Sequence, residues 1–266
     1  EDITDGEHIG DGGNADVSKV NYEIDNTTVP LAIKKPRLTG TFDNEVTDQM
    51  LAEAERWNQL DDHDHIVNII DYGGKPLPWI AMEYMDGGHL GDCYIDMDMD
   101  QLLWTAAKIT DGVYHAHSHG VAHLDLKPEN ILFRRVDDGW NVPKVGDWGL
   151  SRQLLKQSEG AEGFSPYYAA PEQFGDKHGG VDEITDIYQL GSIFYELFTG
   201  QPPFTGSQTE IMQSVLQQQP TPPSELSDVP EEVNDIILTS LAKNKSDRYT
   251  DIVYLRDDLK QLFENI

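Results

Sequence analysis

The stretch 121–130, VAHLDLKPEN, constrains this chain more than any other. Behind an apolar lead-in it gathers Asp125, Lys127 and Asn130. An echo follows at 145–149, VGDWG, where Asp147 stands at the end of a β-type run and close to a glycine. Phosphoryl transfer uses parts of this kind. A carboxylate orients the acceptor hydroxyl, a cation meets the γ-phosphate, and an amide with a second carboxylate holds divalent metals.

Strand signals precede this centre and helical ones follow it. Gly10 and Gly12 lie between a short apolar start and Val17–Val20, which suggests strand, tight turn, strand. Glycines there let backbone N–H groups approach phosphates without a Cβ clash, although the same run also describes a plain hairpin turn. In PLAIKK, alternation puts Ala32 and Lys34 on one strand face. Residues 42–60 carry Met50, Leu51, Ala54, Trp57 and Leu60 at helical spacing. Residues 66–71 and 79–84 read as two strands joined by a Gly-Gly and Pro turn.

The spacing predicts a helix over 101–119, with Leu102, Leu103, Ala106, Ile109, Val113 and His117 on one side. His115, His117 and His119 alternate by two, which spreads them over different helix faces and argues against a metal site. Residues 131–145 read as a hairpin with Asp138-Gly139 at its turn. The segment 185–200, TDIYQLGSIFYELFTG, is apolar on nearly all sides and predicts a buried helix. Three more helical patterns follow at 208–217, 231–243 and 250–263. No internal repeat appears.

In order and spacing these segments resemble the catalytic domain of eukaryotic-like serine/threonine protein kinases of bacterial and archaeal type. The resemblance spans almost the whole chain and implies an α+β, two-lobed fold. An antiparallel sheet with one helix would form residues 1–82, a hinge 83–86, and a mainly helical lobe 87–266. ATP would bind between the lobes together with Mg²⁺ or Mn²⁺. Gly10 and Gly12 would cover its phosphates and Lys34 would grip them. Glu53 would pair with Lys34, with Glu55 as the other candidate. Val17, Ala32 and Leu132 would sandwich the adenine. Met82 would stand behind it, and Glu83 to Met85 would offer backbone groups to its edge.

In the same resemblance Asp125 accepts or orients the acceptor proton, Lys127 contacts the γ-phosphate, and Asn130 and Asp147 hold metal. Ser165 would bond Asp125 and Lys127 through its hydroxyl. Glu172, in an Ala-Pro-Glu segment, would pair with Arg248, and Asp186 would anchor the catalytic-loop backbone. A lysine two residues after the aspartate is typical of serine/threonine kinases. The implied function is transfer of the ATP γ-phosphate to protein hydroxyls. The competing readings are a nucleotide-binding pseudokinase scaffold and a small-molecule kinase.

The chain departs from the family pattern at three positions. Ala15 replaces a third glycine, and Trp148 replaces a phenylalanine expected to pack under the regulatory helix. Leu124 replaces the arginine that meets a phosphate on the activation loop. Without that receptor, little dependence on loop phosphorylation is expected. Ser151 and Ser158 are the autophosphorylation candidates.

Composition sets the surroundings. The formal net charge is −29, from 19 basic and 48 acidic residues. Such self-repulsion is long-ranged at low salt, and periodic apolar segments argue against disorder. A halophilic cytoplasm fits best; an acidic protein with a basic partner is the alternative. No basic stripe points to nucleic acid, and no window approaches the roughly 18 uninterrupted apolar residues of a membrane helix. The start lacks a secretory signal and an initiator Met, which leads us to expect an excised cytoplasmic domain. The lone Cys93 forms no internal disulfide and reads as a structural thiol in a reducing compartment.

Overall fold

A computed structural model of the chain describes residues 6–11, 15–37, 44–60, 63–148 and 165–265. Its first half builds an antiparallel five-stranded sheet from β1 (Glu7–Asp11), β2 (Ala15–Ile24), β3 (Thr27–Pro36), β4 (Ile69–Gly73) and β5 (Trp79–Glu83), in the order β1-β2-β3-β5-β4. Register fixes what faces what. Gly10 lies opposite Val17, Val17 opposite Lys34, and Ala32 opposite Met82. Helix α1 (Asn44–Asn58) packs on the sheet through Met50 and Ala54, which meet Ile80 in a small apolar cluster. Trp57 closes the end of that helix by donating its indole N–H to the Val67 carbonyl at 2.6 Å.

The second half is helical: α2 (Leu90–Cys93), α3 (Met99–Ser118), α4 (Glu183–Thr199), α5 (Gln208–Gln217), α6 (Glu231–Ser240) and α7 (Ile252–Asn265). One two-stranded ribbon, β6 (Ile131–Arg134) with β7 (Val142–Val145), interrupts it. Asp138 takes φ +57° at the ribbon's turn, which suits the Asp-Gly pair. Helix α3 starts where Asp98 accepts from the Gln101 N–H at 2.9 Å, and it packs against α7 and β7. Helix α4 is buried on nearly every side. It is capped by Asp182 and stopped by Gly200 at φ +78°, a left-handed conformation that glycine adopts without strain.

One large apolar cluster runs through both halves and joins Ala32, Met82 and Met85 to α3, α4 and α7. The chain crosses between the halves just after β5. Gly87 lies so close to β6 there that a Cβ would come within 2.7 Å of the Phe133 backbone oxygen. Helix α6 ends at Ser240, three residues short of the expected 243. The last turn tightens, with the Ala242 N–H donating to the Thr239 carbonyl at 3.3 Å, and the Arg248 guanidinium then takes the carbonyls of Ala242 and Lys243 at 2.8 and 3.2 Å.

Candidate active site

Lys34 projects from β3 and is buried, yet it is fully paired. Its ammonium donates to Glu53 of α1 at 2.9 Å and forms a second, very short bond to Asp147. Burial works to lower the Lys34 pKa, but Asp147 and Glu53 together hold it above its ordinary value. Burial likewise raises Glu53, against the pull of Lys34. Asp147 goes the other way: the Lys34 charge overcomes burial and keeps it ionised below the usual carboxylate range. Glu53 is the acid that the helix presents to Lys34. The register of α1 buries it to 1% exposure, whereas the side chain of Glu55 is exposed.

The loop after α3 carries Asp125, Lys127 and Asn130. Lys127 Nζ lies 3.1 Å from Asp125 Oδ2, and Asn130 donates its amide to the Asp125 carbonyl at 2.8 Å. Burial raises the Asp125 carboxyl above its usual range, opposed by Lys127 and His123. This loop is tied to the Asp147 segment twice. His123 Nε2 lies 2.9 Å from the Gly146 carbonyl, and the Gly146 N–H donates to the Asn130 carbonyl at 2.8 Å.

Asp186, at the start of α4, seats the loop. It is fully buried and accepts from the N–H groups of His123 and Leu124 at 2.7 and 2.6 Å, with His117 Nε2 at 2.8 Å. Two such bonds let Leu124 hold φ +65°, a left-handed backbone that a leucine rarely adopts. The Leu124 side chain is itself 3% exposed and points to no solvent-borne group. Asp147 also holds a left-handed φ, +64°. Trp148 beside it is buried, with its ring against His123 and its indole N–H on the Val145 carbonyl at 3.0 Å.

The remaining expected positions fall as follows. Val17 and Leu132 are half-buried and pack on the cluster containing Ala32, Met82 and Met85. Gly10 lies in β1, while Gly12, Ser151 and Ser158 lie outside the described residues. Glu83 commits its N–H to the Asn68 carbonyl at 3.0 Å, so it is not a free donor. Glu172 and Arg248 form a buried two-point pair, at 2.8 Å for each oxygen. Ser165 receives the Tyr168 N–H on its carbonyl at 3.3 Å, while Lys127 bonds Asp125 directly.

Two features were not anticipated. Lys144 of β7 is buried and bonds the Glu83 carboxylate at 2.6 Å, which braces the end of β5 against the strand leading to Asp147. Gln189 of α4 bonds the loop of Asp125 directly. Its spacing of three from Asp186 places it on the same helix face, a signal that could have found it. The histidines on α3 find separate partners. His115 meets the Leu60 carbonyl and His117 meets Asp186. Among the described residues no group of three metal-ligating side chains is assembled.

A sheet lobe and a helical lobe that meet over a lysine, two acids and a carboxylate–lysine–asparagine loop define a two-lobed phosphotransferase. The protein kinase domain family model matches residues 3–263, so the chain belongs to the protein kinase family. It is 32% identical over 212 residues to serine/threonine-protein kinase PknB of Mycobacterium leprae, covering 74% of this chain and 33% of that protein. It is 33% identical over 218 residues to PknB of Mycolicibacterium smegmatis, covering 76% and 34%. A probable serine/threonine-protein kinase of Corynebacterium efficiens is 32% identical over 281 residues, covering 98% and 41%. The chain thus spans about a third of the length of the first two relatives. Among the described residues no helix is long and apolar enough to cross a membrane.

Proposed function

We propose that this domain transfers the ATP γ-phosphate to serine or threonine hydroxyls of protein substrates. The observation that carries the reading is the Lys34 ammonium held between Glu53 and Asp147, since kinase activity needs the lysine–glutamate pair and the metal-binding aspartate in place together. In this reading residues up to 82 form one lobe, 83–86 the hinge and 87 onward the other. Adenine lies among Val17, Ala32 and Leu132, with Met82 behind it and Met85 at its edge.

Mg²⁺ or Mn²⁺ fits Asp147 and Asn130, an all-oxygen donor set suited to hard cations. The Asp147 side chain is 34% exposed and uses one oxygen on Lys34, and Asn130 spends its NH₂ on Asp125, leaving its oxygen. The ion supplies charge neutralisation for the phosphates. Lys34 positions the phosphates, Asp125 takes up or orients the acceptor hydroxyl's proton, and Lys127 draws the γ-phosphate toward it. Catalysis here is positioning and electrostatics, without a covalent intermediate.

The buried Leu124 supports a domain whose activity does not wait on activation-loop phosphorylation. The −29 charge supports function at high salt in a cytoplasm. The test is label transfer from γ-labelled ATP to a basic acceptor protein, with Asp125→Asn in parallel. Transfer that vanishes in the variant is expected. ATP binding without transfer would favour a nucleotide-binding scaffold, and label appearing on a metabolite would favour a small-molecule kinase.

A further inference from the structure

The peptide groups on either side of Asp125 are gripped by one side chain. Gln189 of α4 accepts from the Leu126 N–H at 2.9 Å, and its amide nitrogen donates to the Leu124 carbonyl at 3.2 Å. The same nitrogen donates to Gln173 Oε1 at 3.0 Å, and Gln173 donates to the same Leu124 carbonyl at 3.0 Å. Gln173 is fixed in turn by the Ala170 N–H, which donates to its Oε1 at 2.9 Å. Both glutamines are buried, at 2% and 9% exposure, so neither amide has water as a substitute partner.

This grip differs in kind from that of Asp186. Asp186 holds the N–H groups of His123 and Leu124, on the approach to the catalytic aspartate. Gln189 alone reaches both flanks, and a primary amide suits that task. It presents a donor and an acceptor on one rigid plane, and it reads one carbonyl and one N–H at once. The peptide pair it spans carries the strained Leu124 at φ +65°, a conformation that persists only when its surroundings over-determine it. Released from Gln189, the Leu126 N–H would be buried without its acceptor and the Leu124 carbonyl would keep only Gln173, so the loop would relax toward another backbone state.

We infer that Gln189, backed by Gln173, is the positioning residue that sets the direction of the Asp125 carboxylate, holding the catalytic loop in its working shape from the helical lobe. The inference rests on the reading of Asp125 as the acceptor-orienting group.

The experiment compares wild type, Gln189→Met, Gln189→Glu and Asp125→Asn. It measures turnover on a basic acceptor protein, KM for ATP, the Kd of a fluorescent ATP analogue, and thermal melting. Gln189→Met removes both contacts at similar volume. Gln189→Glu keeps an acceptor for the Leu126 N–H and loses the paired donation. Misplacement of a reacting group by about an ångström costs up to about a hundred-fold. The expected result is therefore a fall in kcat of about ten- to a hundred-fold in Gln189→Met, with KM and Kd for nucleotide within about two-fold of wild type. Gln189→Glu should lie between. Wild-type kcat in a folded Gln189→Met protein would overturn the inference, as would kcat, Kd and melting temperature declining together to the same extent in both variants. Should Gln189→Met not fold, wild-type kcat in Gln189→Glu would overturn it equally. Label transfer retained in Asp125→Asn would instead reject the reading of Asp125, which separates the two failures.

Discussion

Arg248 sets two guanidinium nitrogens on the two carboxylate oxygens of Glu172, each at 2.8 Å, with both side chains almost wholly buried. The pair joins the Ala-Pro-Glu run to the turn between α6 and α7. Thr185 adds a hydroxyl donation to Glu172 at 2.8 Å. Breaking such a pair leaves one charge buried without compensation, which costs about 3–5 kcal/mol. Arg248→Met should therefore lower the melting temperature sharply and reduce the yield of folded protein, as followed by circular dichroism. Burial acts to raise Glu172, but the Arg248 bonds and charge win and hold its carboxyl below the ordinary 4.5. The contribution of the pair is thus full above that pH and fades as pH falls through the depressed folded value. Arg248→Met should flatten this acid limb of the stability curve.

Lys34 and Glu53 make a second test. Lys34→Met removes the ammonium that Asp147 and Glu53 share. Loss of a preorganised electrostatic group of this type costs about a hundred- to a thousand-fold in turnover. Glu53→Gln should cost less, because the lysine survives but loses its partner on α1. Steady-state rates with the two variants in one buffer check the order. Equal activity of Lys34→Met and wild type would remove the lysine from the mechanism.

The pH profile reports on Asp125. Burial places its carboxyl above the usual range, and Lys127 acts against that rise. An ionised Asp125 is needed to take up or orient the acceptor proton, so activity should fall on the acid side at a pH above an ordinary aspartate's. In Lys127→Met the opposing charge is gone, and the acid limb of kcat/KM should move further up. A limb that stays put or moves down would contradict this placement of the two side chains.

Loop phosphorylation offers a fourth check. Leu124 is buried and uncharged, and it cannot receive a phosphate as an arginine would. Phosphatase treatment of the purified domain should leave its turnover within about two-fold of the untreated value, since a phosphate contributes order only through a cationic partner of this kind. Mass spectrometry of both samples confirms that the phosphate was removed.

Salt is the remaining variable. A net charge of −29 on 266 residues repels itself across the whole domain. At about 1 M salt the screening length falls to about 3 Å, so the repulsion between exposed acids largely disappears. The melting temperature and kcat should both rise from low salt to molar KCl. A domain that is most stable at low ionic strength would count against adaptation to high salt.

Much of this was legible because the chemistry is local. Asp125, Lys127 and Asn130 lie in one short loop, and β alternation put Ala32 and Lys34 on one face. Asp147 and Glu53 were reachable through the family resemblance, Asp147 in the motif just after β7 and Glu53 on a helix with clear apolar spacing. The Glu83–Lys144 brace was not legible. A glutamate and a lysine far apart in sequence carry no mark of their pairing, and the partners of buried Lys144, Glu83 and the Ile66 carbonyl, come from distant segments. The end of α6 was misplaced as well: apolar spacing runs on past Ser240, but the helix stops there.

Asp186 gives the domain an order of assembly. Every side chain read here as acting on phosphate, from Lys34 to Asp147, precedes it in the chain, yet the N–H groups of His123 and Leu124 find their acceptor only on α4. During synthesis the chemical groups therefore emerge before the seat that aligns them. The helix that seats the loop is thus made after every group it aligns.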